Sequence, residues 1–150
     1  MITIRITTPP ALTNLAHNAS TAVAKVVNDT GLRLLSQIRA NASTGYHKRG
    51  LPHIPGTGPG PNVATGDYRR TWHITTGTNA AGQPTALVST NAPQARRLEY
   101  GWAMPRVDSA GRTGVNQPPY PHVRPAVELI RHQFFADMRA AISGLTKKGA

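Results

Sequence analysis

The proline-stiffened run Gln117-Pro118-Pro119-Tyr120-Pro121-His122-Val123-Arg124-Pro125-Ala126 does most to limit what this chain can become. Proline holds φ near about −65° and drives the residue before it out of the helical region, so the run is a rigid elbow. Beyond it Val127, Ile130, Phe134, Met138, Ala141 and Ile142 recur at helical steps, while Glu128, Arg131, His132 and Arg139 fall on other faces. The pattern predicts a helix that starts at or near Arg124-Pro125 and is ended by Gly144, with Lys147-Lys148 trailing near its negative end. A helix entered through such an elbow leaves at a fixed angle. That suits a part that docks against copies of itself, and nothing in the stretch has the look of a reaction centre.

The front of the chain reads as a strand and a long helix. Ile2, Ile4 and Ile6 alternate on one face, and Pro9-Pro10 close the strand. Leu12, Leu15, Ala16, Ala19, Ala22, Val23, Val26, Val27, Thr30, Leu34 and Ile38 then form one apolar stripe at three- and four-residue steps. Gly31 and the β-branched valines lower its helix propensity, so the helix leans on packing, and a slight break is expected near Asn28-Asp29-Thr30-Gly31. The pattern fades by residues 41–45.

Residues 67–78 alternate again, with Tyr68, Trp72, Ile74 and Thr76 on one strand face and Arg69, Thr71, His73 and Thr75 on the other. Asn79-Ala80-Ala81-Gly82-Gln83 is read as a turn, and residues 85–90 return as a second strand with Ala86 and Val88 inward. Residues 93–100 read as a short helix: Pro93 at its start, Leu98 its apolar contact and Gly101 a left-handed cap. Two Gly/Pro-rich stretches, at about 43–66 and 102–120, are expected to be flexible loops. Loops of this length usually serve a function or stay disordered. The first, carrying Tyr46, His47, Lys48 and Arg49, reads as an arm that orders against a neighbour; the second carries Arg106 and Arg112. A length of 150 residues is most simply one domain, 1–150.

The charge is lopsided, with 17 Lys+Arg against 6 Asp+Glu and a net charge of +11. It favours an acidic partner, either nucleic acid or an acidic protein surface. The cations are scattered rather than run together, so this is no basic tail, and a plainly solvated basic surface is the simpler alternative. Arg69-Arg70 and Arg96-Arg97 are the candidate contacts to DNA or to an acidic partner. Their simpler reading is an exposed strand edge or helix face. No nucleic-acid recognition module is visible. Tyr68 and Trp72 are expected in the core rather than as base-stacking platforms.

Enzyme motifs are missing from the sequence. Gly56-Thr57-Gly58-Pro59-Gly60 lacks the lysine of a phosphate loop. The six His residues show no paired metal-ligand spacing, no carboxylates cluster with them, and there is no Cys for a disulfide, a zinc-thiolate site or a thiol nucleophile. No catalytic residue, metal or cofactor is expected. The alternating N-terminus lacks the apolar run of a signal peptide. No stretch approaches the ~18 continuous apolar residues of a membrane helix. Glu99 is expected to meet an arginine across a subunit boundary, or else Arg96 on its own helix.

Three motifs in order carry a resemblance: Thr65-Gly66-Asp67-Tyr68-Arg69-Arg70-Thr71, then Leu98-Glu99-Tyr100-Gly101, then Pro118-Pro119-Tyr120-Pro121-His122-Val123-Arg124-Pro125-Ala126. With helices at both ends, the chain resembles the tail-completion, or head–tail joining, family of neck proteins in long-tailed bacteriophages. Tyr68 stands where that family usually has an aliphatic residue. The resemblance implies an α+β fold: a small, mainly antiparallel sheet packed by a long N-terminal helix and a C-terminal helix. It further implies a structural virion protein without cofactor, assembled in the host cytoplasm as a homo-oligomeric ring of six copies. The ring would join the head-side connector or stopper protein to the tail terminator or tail tube protein, with genomic DNA passing through it and no membrane involved. Tyr46, His47, Lys48, Arg49, Glu99, Arg106 and Arg112 are then candidate contacts between subunits or rings. The alternative from charge alone is a non-specific nucleic-acid-binding protein.

Overall fold

A computed structural model describes residues 2–7, 13–43, 66–102 and 118–146. The elements, in chain order, are β1 (Ile2–Thr7), α1 (Thr13–Asn41), α2 (Asp67–Arg70), β2 (His73–Thr78), β3 (Pro84–Thr90), α3 (Ala95–Tyr100) and α4 (Val123–Thr146). The class is α+β. The three strands form one antiparallel sheet in the order β1-β3-β2, so among the described residues β1 and β2 are its edges.

The pleat decides which residues face the helices. Register aligns Ile4, Val88 and Ile74 across the sheet, and all three pack into the core. The row formed by Arg5, Leu87 and Thr75 lies on the opposite face. The β2–β3 turn is built on Asn79, whose side-chain oxygen accepts the N–H groups of Ala81 (3.0 Å) and Gln83 (2.9 Å), while Gly82 takes φ 71°.

α1 and α4 run antiparallel on the inner face of the sheet. Val23 and Val27 of α1 meet Phe134 and Met138 of α4; further along, Leu34, Leu35 and Ile38 meet Val123, Ala126 and Ile130. Each apolar stripe expected from the sequence is therefore turned inward over its described part. An ion pair of 2.7 Å between Arg33 and Asp137 bridges the two helices near their surface.

Several local expectations change. The strand expected from residue 67 begins only at His73, because Asp67–Arg70 is a turn of helix. Gly66 turns the chain into it with φ 77°. A spacing of four between Tyr68 and Trp72 keeps them on one side in either geometry, so the pattern could not separate strand from helix. Second, α4 runs through Gly144 to Thr146. A glycine in an exposed last turn costs about 1 kcal/mol and need not stop a helix. Third, Gly101 has φ 76° but ψ 174°, an extended exit rather than a left-handed helical cap. The stretches expected as flexible loops lie almost wholly outside the described residues.

The expected break at Gly31 does not occur, since α1 is continuous through it. The glycine has a different use. A Cβ there would sit 2.6 Å from Ile74 Cδ1 and 2.7 Å from Ala86 Cβ, so the helix backbone touches the sheet directly. Helix propensity alone favours Gly31→Ala by about 1 kcal/mol, whereas overpacking of this kind costs about 1–3 kcal/mol. Ala86 Cβ can retreat only if the β3 backbone moves, so the clash wins. Gly31→Ala is expected to lower the unfolding free energy by about 1 kcal/mol in a denaturant titration; a gain in stability would show that helix and sheet separate freely.

Candidate functional site

The most organised polar cluster lies where the C-terminal end of α1, α2, α3 and the start of α4 come together. Its centre is Glu99. An α-helix begins with four N–H groups that lack intrahelical partners. In α4 these belong to His122, Val123, Arg124 and residue 125, which is proline and has none to offer. The Glu99 carboxylate takes all three that exist. Oε2 accepts from His122 N at 2.9 Å and Val123 N at 3.0 Å, and Oε1 accepts from Arg124 N at 2.9 Å. The first turn of α4 carries no acidic residue. The negative charge favoured at a helix N-terminus therefore comes from another helix.

The elbow is tied down from several sides. Tyr120 donates its N–H to Leu98 O at 2.7 Å, and Asn41 Nδ2 donates to His122 O at 3.0 Å. The His122 ring is fully buried. Its Nδ1 lies 2.9 Å from Tyr120 O and 3.2 Å from Glu99 Oε2, both acceptors, so Nδ1 carries the proton. Nε2 is then left to accept from the Tyr68 hydroxyl at 2.6 Å. The rings of Tyr68, Trp72 and His122 meet edge to face, with centroids 5.4–6.3 Å apart. The Trp72 indole N–H makes no hydrogen bond of proper geometry, but its nearness still favours the phenolate of Tyr68 slightly.

The three motifs that carry the resemblance thus share one bonded cluster: Tyr68 from the first, Glu99 from the second, His122 from the third. Tyrosine in place of an aliphatic residue at position 68 is what provides the hydroxyl for His122. Glu99 itself differs from expectation. It is buried, at 5% exposure, and faces the α4 amides rather than Arg96 or a neighbouring copy. Burial with full hydrogen bonding suits a rigid joint, not a group offered to substrate.

The expected cationic contacts fall in two places. Arg69 and Arg70 are exposed on α2. Arg69 Nη1 donates to Ser43 Oγ at 3.2 Å, and Arg70 pairs with Asp67. With Arg39, Ala40 and Ser43 they line an open hollow of about 710 Å³. Arg39 is held there by a 2.6 Å bond from Nη2 to Trp72 O. Arg96 and Arg97 are exposed on α3, and the Arg97 guanidinium sits 4.8 Å over the Trp102 ring. Tyr46, His47, Lys48, Arg49, Arg106 and Arg112 lie outside the described residues. The sequence reading missed Arg39 and Ser43, which no spacing connects to residues 69–70. Among the described residues no group of three or more His, Asp or Glu could hold a metal ion, and no helix is long and apolar enough to cross a membrane.

Comparison of the chain with protein-family models, with curated proteins and with solved structures gives no match.

The cluster makes stability depend on pH at both ends of the scale. Burial pushes the His122 pKa below its ordinary 6.5, outweighing the help of Tyr120 O and Glu99. Below that value the unfolded chain binds a proton that the folded chain refuses. The stability His122 contributes is therefore complete above about pH 6.5 and falls as pH drops. Burial raises the Tyr68 pKa well above 10, and there the folded chain keeps a proton that the unfolded chain releases, so stability falls as pH rises past about 10. Tyr68→Phe is expected to flatten the alkaline loss in thermal melts taken from pH 8 to 11; an unchanged alkaline slope would assign it elsewhere.

Glu99→Ala strands three amides at the start of α4. The loss is expected to be about 3 kcal/mol, from a cap together with buried, unpaired donors. Glu128→Ala, which breaks only an exposed pair with Arg124, should cost well under 1 kcal/mol. Urea unfolding of the two variants checks the ratio, and equal losses would refute the capping role.

Proposed function

We propose that this chain is a structural subunit of a bacteriophage neck, repeated as a six-copy ring around the DNA channel between the head-side connector and the tail terminator or tail tube. One observation carries the reading. The motifs that resemble the tail-completion family, far apart in sequence, meet through Tyr68, Glu99 and His122. They act together as a brace that sets the angle of α4. A fixed angle is what a closed ring demands of each subunit, because a small error repeats at every contact.

Other features agree. Glu99 and His122 at the joint are buried and hydrogen-bonded, which favours a structural role over catalysis. α4 also leaves Leu129 and Phe135 59% and 41% exposed beside its buried stripe. That is apolar area a repeat contact would cover.

Charge sets how such a ring would form. Six copies at +11 each would carry about +66 and repel one another unless something negative lies alongside. Assembly therefore waits for an acidic partner ring or for DNA. The same charge favours a second reading, a non-specific nucleic-acid-binding protein that acts without a ring. Sedimentation of the full chain, alone and with short duplex DNA, separates the two. The ring reading expects a monomer alone at low salt and a six-copy species on the polyanion. A monomer in both states with tight, salt-steep duplex binding would favour the second reading, and a stable hexamer alone at low salt would refute assembly on a partner.

A further inference from the structure

The chain has six carboxylates, and five lie among the described residues. Every one of the five is engaged. Asp29 pairs with Lys25, Asp137 with Arg33, Asp67 with Arg70 and Glu128 with Arg124, while Glu99 caps α4. Neither Arg39 nor Arg69 has a carboxylate partner among the described residues. Residues 44–65, which continue the chain from Ser43, contain no Asp or Glu. Two guanidiniums are thus brought together beside a third with little internal charge to balance them.

The geometry points to the hollow lined by Arg39, Ser43, Arg69 and Arg70 as a binding site for the phosphodiester backbone of a polynucleotide. Its donors are pre-set. Arg39 is clamped to Trp72 O, and Arg69 is steadied by Ser43, whose hydroxyl in turn donates to Arg39 O at 2.7 Å. Guanidiniums held in this way lose little rotamer freedom when they grip a phosphate, and their planar donors suit its oxygens. One effect opposes anion binding: the carbonyl end of α1, with about half a negative charge, lies close by. Three guanidiniums outweigh that half charge and the single carboxylate of Asp67.

The lining also selects among anions. A hollow of about 710 Å³, open to solvent, has room for a strand passing through and does not enclose a small ion. An acidic protein partner would want an apolar or aromatic contact at the centre of its interface. Here Ala40 is the one apolar residue of the lining, and no aromatic ring is among the lining residues. A backbone that presents one charge per nucleotide needs no such contact.

The assignment rests on the proposed function only for the presence of DNA, and the two can fail separately. A chain that grips duplex through this hollow yet never forms a ring breaks the ring reading alone. A ring that assembles while Arg69→Gln binds duplex like the native chain breaks the site alone.

The test compares Arg69→Gln with Arg139→Gln, which removes the same charge from the exposed face of α4. Both full chains are first shown to melt like the native protein. Binding to a short fluorescent duplex is then titrated across salt. Loss of one phosphate contact should weaken binding roughly eightfold at 0.1 M salt and lower the log–log salt slope by about one. Arg69→Gln is expected to show both effects and Arg139→Gln neither. Equal losses in the two variants would overturn the site in favour of diffuse attraction by net charge. Tighter, Arg69-dependent binding of polyglutamate than of duplex would overturn it in favour of an acidic protein surface. Displacement of the duplex by millimolar inorganic phosphate at constant ionic strength would make the hollow a free-anion site and overturn the polynucleotide assignment.

Discussion

A single carboxylate holds this fold at its most demanding point. The start of α4 presents three backbone donors in a buried place, and leaving any of them without an acceptor is costly. Glu99 reaches all three from α3, in bonds of 2.9–3.0 Å. Pro125 completes the solution by having no donor at the fourth position. The usual remedy, a Ser or Asp side chain at the helix start, acts within a few residues and so stabilises only its own helix. A cap taken from α3 welds two helices and the elbow between them into one piece. His122, at the point of attachment, then passes the connection on to Tyr68 and to the end of α1.

The electrostatics follow from scarcity. With so few acids, each described carboxylate is committed to a neighbour within the chain, and among the described residues none is left over to quieten Arg39 of α1 or Arg69 of α2. The surface pairs contribute little to stability, as exposed ion pairs do. Their larger effect is on where positive potential remains, because they silence some cations and leave others facing solvent.

Much of the scaffold was legible in the sequence because its signals are local. The alternation of Ile2 and Ile4 and the stripes ending in Ile38 and Ile142 reflect periods of two and 3.6 residues, and the Asn79–Gln83 turn reflects the side-chain chemistry of a few adjacent residues. The misreading of residues 67–72 has the same root: a step of four positions from Tyr68 to Trp72 is close to a whole number of periods in either structure. What the sequence hid were relations at long range. The partners of Glu99 are backbone amides 23 to 25 positions away, and amides carry no residue identity to recognise. Arg39 and Arg69 are 30 positions apart and meet only because α2 folds back over the end of α1. Gly31 looked like a weak point in a helix, since its purpose depends on Ile74 and Ala86 across the interface.

The missing side chain at position 31 acts as a keyway. Sliding α1 by one residue along the sheet would bring Thr30 or Leu32 to a gap that admits only a hydrogen atom. The helix can therefore neither creep nor rotate against the strands without first lifting away from them. Any force arriving through α4 must then be passed to the sheet as a whole-body displacement, instead of being absorbed by slippage between layers.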